Sequence, residues 1–174
     1  MNSPSSNPST YSHWASRFLI GRNPKWTMVR VLFVMITSYI LFGHILLPIR
    51  VTGISMEPNY LNGRVNFINK LAYRSIPPQR GDVVGIRTQS AKAIYMKRVV
   101  ALPGEKVALR AGIVYINGQP LEEPYTKPNP SWNGVELRLK DQEYLVIGDN
   151  RTMRMDQHDF GTTDITQFVG RVLF

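Results

Sequence analysis

The chain has few of the side chains that proteins commonly use for cross-linking, metal binding and proton transfer. Among its 174 residues there is no cysteine, and there are only three histidines, His13, His44 and His158. The absence of cysteine excludes a disulfide framework and a cysteine-based zinc site. The scarcity of histidine favours a lysine over a histidine as the group that would activate a serine nucleophile.

Acidic residues are missing from the N-terminal part of the chain, where Glu57 is the first. Five basic residues precede it, so more than half of the net charge of +9 belongs to this part: Arg17, Arg22, Lys25, Arg30 and Arg50. A basic chain can indicate contact with nucleic acid. The C-terminal part, however, lacks clusters of basic and aromatic residues, so we expect no nucleic-acid partner.

A long apolar run follows the basic tail. Val31–Leu47 carries no formal charge if His44 is neutral, and its flanks bring it near the roughly 20 residues that cross a bilayer. The pattern predicts a cytoplasmic polar and basic tail over residues 1–25 and a transmembrane helix over residues 26–49. By the positive-inside rule, residues 50–174 are expected to form the extracytoplasmic domain.

Two other interpretations of the apolar run stay open. A cleaved signal peptide would have a shorter apolar region, about 7–15 residues, and a small-x-small exit that residues 51–53 match poorly. A buried core helix could also be apolar all round.

The remainder of the chain is expected to be mainly β. Short runs rich in branched and aromatic residues alternate with Gly, Pro and Asn turn signals, of which Asn117-Gly118 is the strongest. The predicted strands are 83–87, 94–101, 106–109, 112–116, 143–147 and 168–174, and residues 122–134 are predicted to form a loop. This pattern predicts a compact β-barrel-like domain on a single N-terminal anchor.

Ser55 lies in a short segment with the features of a rigid turn. Gly53 permits a positive φ angle and Pro58 fixes the chain just after the serine. Backbone N–H groups near Ser55 could then stabilise an oxyanion. An ordinary turn serine is the alternative for this segment taken alone.

Lys97 is the candidate base for that serine. In the predicted strand 94–101 it shares one face with Tyr95 and Val99. Burial among apolar side chains would lower the pKa of the lysine and leave a neutral amine able to take the serine proton. The alternative is a lysine on an edge strand whose amine extends to water, while Arg98 is expected to form an ion pair.

A third polar cluster begins at Gly148–Arg151 and continues to Asp156 and Asp159. Three carboxylates without a spaced histidine pair are weak evidence for a metal site. A turn with Asp–Arg pairing is favoured, and we expect neither a metal nor a cofactor.

Together these segments resemble the type I signal peptidases, membrane-anchored Ser–Lys proteases. The motifs that carry the resemblance follow the family's order after one N-terminal anchor: Gly53–Pro58, Arg80–Val84, Tyr95–Glu105, Val114–Tyr125, and Gly148–Arg151 with Phe160-Gly161. The resemblance implies a mainly β catalytic domain that removes signal peptides after small residues at positions −3 and −1. It implies signal peptides and the lipid bilayer as partners. A bacterial inner membrane is the expected location, and an organelle membrane is the alternative.

The resemblance also assigns roles to individual residues. Ser55 is the expected nucleophile and Lys97 the expected general base. Residues expected to bind the oxyanion or the substrate are Gly53, Ile54, Met56 and Tyr95. Residues expected to support the site are Asp149, Asn150, Arg151, Arg154 and Asp156.

Several positions depart from the family pattern. Gly53 occupies a position where some members have serine, and Asn59 one where threonine is frequent. Arg154 replaces a serine that hydrogen-bonds the catalytic lysine, and His158 replaces an arginine. If the Arg154 side chain points inward, its charge lowers the pKa of Lys97 further. If it points outward, Lys97 lacks the hydrogen-bond partner that orients it. Thr152 is a candidate substitute for that partner.

Three other functions compete with general signal peptide removal. The departures are compatible with a specialised family member that matures a conjugative pilin or transfer protein. A catalytically weak β-domain that binds exported proteins is a second alternative. A Ser–Lys autoprotease fused to a DNA-binding domain is a third, but no helix-turn-helix segment is recognisable.

Overall fold

The computed structural model describes residues 23–87, 93–158 and 160–173. Most of the predicted polar tail, and Asp159 of the predicted turn cluster, therefore lie outside the described residues. The chain divides into two compact units, Met1–Gly43 and His44–Phe174.

The first unit contains most of the apolar helix, which ends two residues into the second unit. Helix α1 spans Pro24–Ile40 and continues as a π-helical turn over Leu41–Ile45. None of its residues is buried, and the span Pro24–Ile45 has 22 residues and a mean hydropathy of 1.8. By length and composition this helix can cross a membrane.

The predicted helix boundary at residue 49 is corrected by the structure. Helical conformation ends at Ile45, and Leu46–Arg50 forms a strand that pairs antiparallel with Val65–Asn69. Pro48 explains the earlier end, because proline has no N–H for a helical hydrogen bond and its ring clashes with the preceding turn.

The second unit is built from strands, which confirms the mainly β prediction. The strands are β1 Leu46–Arg50, β2 Val65–Asn69, β3 Val83–Arg87, β4 Ile94–Ala101, β5 Lys106–Arg110, β6 Ile113–Ile116, β7 Gln119–Pro120, β8 Val135–Arg138, β9 Glu143–Ile147, β10 Gly161–Asp164 and β11 Phe168–Leu173. From edge to edge, a seven-stranded sheet has the order β1-β2-β11-β3-β4-β9-β10 and a four-stranded sheet the order β7-β6-β5-β8, and all neighbouring strands are antiparallel.

The tight turn predicted at Asn117-Gly118 is present. Both residues have positive φ angles, 51° and 86°, and Ile116 pairs with Gln119 across the turn. Positive φ at both central positions is the requirement of the hairpin turn that Asn-Gly favours.

The hydrophobic core fixes the segments that carry the serine and the lysine. Met56, directly after Ser55, is 2 % exposed and belongs to the same buried cluster as Met96, directly before Lys97. Ile68 of β2, fully buried, joins them. Apolar packing therefore holds the two chemical groups in one region although 42 residues separate them.

Strand β4 lies inside the large sheet, between β3 and β9. Lys97 is opposite Val84 of β3, and Arg98 is opposite Ile147 of β9. The alternative of a lysine on an edge strand is therefore excluded.

Candidate active site

The Ser55 segment is a turn held at both ends by hydrogen bonds. Gly53 has a φ of 99°, in the left-handed region that glycine adopts without strain. Its N–H donates to Asn62 Oδ1 over 3.2 Å, and the Glu57 N–H donates to the Ile54 carbonyl over 3.1 Å. These bonds support the expectation of a rigid turn that presents Ser55.

Lys97 is buried beside this turn. It is 4 % exposed, and its Nζ lies 3.1 Å from Ser55 Oγ. This is hydrogen-bond distance, so a neutral lysine amine could take the serine proton without rearrangement. Burial favours that neutral amine because it removes water from the charged form.

The backbone N–H of Ser55 is available to a ligand. Among the hydrogen bonds of the described residues, none uses this N–H, whereas the Ser55 carbonyl accepts the Asn150 N–H at 2.9 Å. The same residue thus has a fixed carbonyl and an unoccupied donor, as an oxyanion site requires.

A cleft of about 340 Å³ opens over Ser55 and Lys97. The four residues expected to bind the oxyanion or the substrate all line it: Gly53, Ile54, Met56 and Tyr95. Most of the other lining residues flank these positions in sequence, but two that were not expected, Met153 and Gln157, come from a distant loop. They follow the Gly148–Arg151 motif closely, but nothing in the pattern indicated which side chains of that loop would face the serine.

Asn150 connects this loop to the nucleophile turn. Its backbone N–H donates to the Ser55 carbonyl over 2.9 Å, and its Nδ2 donates to the Ile54 carbonyl over 3.0 Å. Thr152 donates to Asn150 Oδ1 over 2.5 Å, so its hydroxyl supports the asparagine and does not replace the family's serine at the lysine.

Gly148 permits the close approach of the two segments. A Cβ atom at this position would lie 2.3 Å from the Ser55 carbonyl oxygen, closer than the contacts that close-packed interiors permit. Glycine is therefore required here because the backbone of the nucleophile turn occupies the side-chain space.

Asp149 is the buried centre of a polar network behind the turn. Its carboxylate receives two hydrogen bonds from Arg98, at 2.8 and 2.5 Å, and one from Asn59 Nδ2 at 2.8 Å. Burial opposes the charge of Arg98, but its hydrogen bonds and attraction to Asp149 prevail, and the pKa of Arg98 is raised. Among the described residues, no group of three or more His, Cys, Asp or Glu side chains is placed to hold a metal ion.

Arg151 forms the second buried ion pair of this region. Its side chain is 2 % exposed and lies 2.5 Å from the carboxylate of Glu123, which is 8 % exposed. Its Nε donates to the Gly148 carbonyl over 3.0 Å. The Tyr125 hydroxyl also donates to Glu123, and burial together with this carboxylate raises the pKa of Tyr125.

Arg154 and Asp156 are not brought to the Ser55–Lys97 pair. Their side chains, 75 % and 62 % exposed, form a two-bond ion pair with each other at 3.0 and 2.7 Å. The hydrogen bond from Arg154 lowers the pKa of Asp156. Of the two orientations considered for Arg154, the structure has the outward one.

His158 is buried behind the site, a placement that sequence analysis did not foresee. It is 4 % exposed and meets the Trp132 ring edge-on, with ring centroids 4.9 Å apart. Its ring atoms lie within 2.8 Å of the point where a Cβ of Gly148 would stand. Trp132 lies in the predicted loop over residues 122–134, and no local sequence pattern indicated this contact.

Comparisons with known proteins give one consistent family. A family model described as signal peptidase, peptidase S26, matches residues 25–174. The chain is 34 % identical over 124 residues to a probable signal peptidase I-2 of Synechocystis, covering 67 % of this chain and 56 % of that relative. It is 34 % identical over 139 residues to a signal peptidase I of Bacillus caldolyticus, covering 71 % and 75 %. It is 30 % identical over 164 residues to a signal peptidase IB of Staphylococcus aureus, covering 84 % of each.

Proposed function

Since this chain belongs to the signal peptidase family, peptidase S26, we propose that it removes N-terminal signal peptides from exported proteins after small residues at positions −3 and −1. It acts as a membrane-bound serine endopeptidase in which Ser55 is the nucleophile and Lys97 the general base. The observation that carries this proposal is the 3.1 Å distance between Ser55 Oγ and the Nζ of the buried Lys97.

Lys97 acts as base and then as acid. Its neutral amine takes the Ser55 proton while Oγ attacks the carbonyl carbon of the scissile bond. The resulting ammonium gives that proton to the leaving amine, and the N-terminus of the mature protein departs. The amine then activates a water that hydrolyses the acyl-enzyme and regenerates Ser55. General acid–base catalysis of this kind contributes about 10²–10⁴-fold to the rate.

The Ser55 N–H stabilises the negative oxygen of the tetrahedral intermediates. It belongs to a turn whose backbone is held by Asn62 and Asn150, so little reorganisation is needed when the charge develops. One such donor contributes about 10²–10³-fold to the rate.

The cleft receives the residues before the scissile bond. In an extended peptide the side chains at −1 and −3 point to the same side of the backbone. Both side chains therefore face the same wall of the cleft. The apolar side chains of Ile94, Met96 and Met153 line the cleft and suit small uncharged side chains.

The N-terminal helix anchors the enzyme. Its 22 residues span about 33 Å at 1.5 Å per residue, enough for a hydrocarbon core of about 30 Å. The excess of basic residues before it favours a cytoplasmic N-terminus by the positive-inside rule. We therefore assign a single pass through a bacterial inner membrane, with the catalytic domain outside.

The proposal is tested by incubating the detergent-purified full chain with a preprotein that carries an Ala-x-Ala cleavage site. We expect cleavage after the second Ala by the parent protein and by Ser75→Ala, a control at an exposed serine outside the cleft. We expect no cleavage by Ser55→Ala. Equal cleavage by Ser55→Ala and the parent would overturn the proposed function.

A further inference from the structure

The described part of the cleft carries no negative charge. Its fifteen lining residues include two basic side chains, Arg50 and Lys97, and neither an aspartate nor a glutamate. Lys97 is buried against Ser55, whereas Arg50 is exposed at the end of β1. A bound peptide would therefore meet one accessible positive charge along this cleft.

The charge of Arg50 is not compensated by the protein. Among the described residues Arg50 has no ion-pair partner and no side-chain hydrogen bond. Some exposed basic residues elsewhere in the described part of the chain pair with carboxylates, as Lys106 and Arg110 do with Glu136, while others, such as Arg138, do not. Arg50 differs from these others because it lines the cleft. The guanidinium of Arg50 thus remains available to a substrate carboxylate.

The position of Arg50 limits which substrate residues it can meet. Its backbone is fixed by pairing with Val65, and five residues of chain lead from it to Ser55. Since an extended chain advances at most about 3.6 Å per residue, the two Cα atoms are within about 18 Å of each other. Substrate side chains up to about five residues from the scissile bond are therefore candidates for contact.

We propose that Arg50 is a specificity-determining residue that selects substrates with an acidic side chain near the cleavage site. The planar guanidinium matches a carboxylate with two parallel hydrogen bonds and repels a lysine or arginine at the same position. This inference rests on the proposed peptidase function. Because the pair is exposed to solvent, we expect about a two- to fivefold preference.

The test is a set of peptides with one Ala-x-Ala site and a single variable residue. Glu, Gln or Lys is placed at each position from −5 to +5 except −3 and −1, and kcat/KM is measured at low salt, where screening is weak. The enzymes are the full-length parent, Arg50→Gln, Arg50→Glu and the control Arg138→Gln. Arg138 is exposed on β8 and does not line the cleft.

We expect the parent to prefer Glu over Gln, and Gln over Lys, at one position or two neighbouring ones. Arg50→Gln should remove the preference, Arg50→Glu should reverse it, and Arg138→Gln should keep it. Cleavage without charge preference in the parent, or equal effects of the Arg50 and Arg138 variants, would overturn this inference alone. If the parent cleaved none of the peptides, the proposed function would fail together with it.

Discussion

Two Arg–Asp ion pairs, whose aspartates lie seven positions apart in the chain, have different surroundings. Arg98 and Asp149 lie 2.5 Å apart with side chains 13 % and 0 % exposed. Arg154 and Asp156 lie 2.7 Å apart with side chains 75 % and 62 % exposed. The two distances are nearly equal, so distance alone does not tell which pair contributes more to stability.

Burial distinguishes the two pairs. Water screens the exposed pair, and an exposed pair contributes little to stability. The Asp149 side chain is fully buried, so solvent does not compensate for a lost partner. Asp149 also accepts a hydrogen bond from Asn59 beside the nucleophile turn. The inner region, Gly148–Arg151, therefore supports the Ser55–Lys97 pair, while the outer region, Arg154–Asp156, should be dispensable.

The largest loss is expected at Lys97, one member of the pair that the inner region supports. Lys97→Met keeps a similar apolar length but removes the amine that lies 3.1 Å from Ser55 Oγ. We predict a fall in kcat/KM of about 10²–10⁴-fold, measured by preprotein cleavage. Thermal unfolding of the variant in the same detergent controls for folding. A fall in kcat/KM of less than tenfold in a folded variant would exclude Lys97 as the general base.

The next largest effect compares the two acidic partners directly. Asp149→Ala leaves the largely buried Arg98 without its carboxylate, and breaking such a pair costs about 3–5 kcal/mol of unfolding free energy. Asp156→Ala is the matched control, for which we predict no measurable change in Tm. Similar falls in Tm for the two variants would show that burial does not distinguish the pairs.

Asn59 should give an intermediate effect. Its Nδ2 donates to the Tyr125 carbonyl and to Asp149 Oδ2, both over 2.8 Å, so Asn59→Ala should cost about 1–1.5 kcal/mol. Asn59→Asp should cost more, because it places a second carboxylate beside Asp149. Chemical denaturation in detergent measures the free energy of unfolding of both variants. Equal stability of Asn59→Asp and the parent would contradict the hydrogen-bond network around Asp149.

The smallest effect is predicted for the outer region. Arg154→Ser restores the residue type that other family members have there, but the Arg154 side chain points to solvent. We predict an unchanged pH profile of kcat/KM. The pKa of Asp156 should rise in this variant, since the hydrogen bond from Arg154 now lowers it, and an NMR titration would detect the change. A shifted pH–rate profile would place Arg154 in the site.

The strands that are both apolar in sequence and buried in the structure could be predicted from the sequence alone. Strands β3, β4 and β9 have the predicted bounds because runs of Val, Ile and Leu are typical of interior strands. Strand β1 was included in the helix because its leucines continue the apolar run, and Pro48 was the missed signal. Strand β10 has the sequence Gly-Thr-Thr-Asp, with little apolar content to indicate a strand.

The centre of the site was predictable, but its periphery was not. Ser55 and Lys97 stand in motifs with recognisable chemistry, so the pair could be proposed before their distance was known. The outward direction of Arg154 and the burial of His158 depend on tertiary contacts. His158 is buried against Trp132, which lies 26 positions earlier in the sequence, and local pattern does not reveal such contacts.

The most direct test of the Ser55–Lys97 pair is rescue of the Lys97→Ala variant by an added amine. Removing the buried lysine side chain leaves space beside Ser55 that a small primary amine could enter. Preprotein cleavage by Lys97→Ala should be nearly absent and should increase with the concentration of unprotonated methylamine. Ser55→Ala should show no rescue. Cleavage by Lys97→Ala at the parental rate, without any amine, would contradict the assignment of Lys97 as the general base.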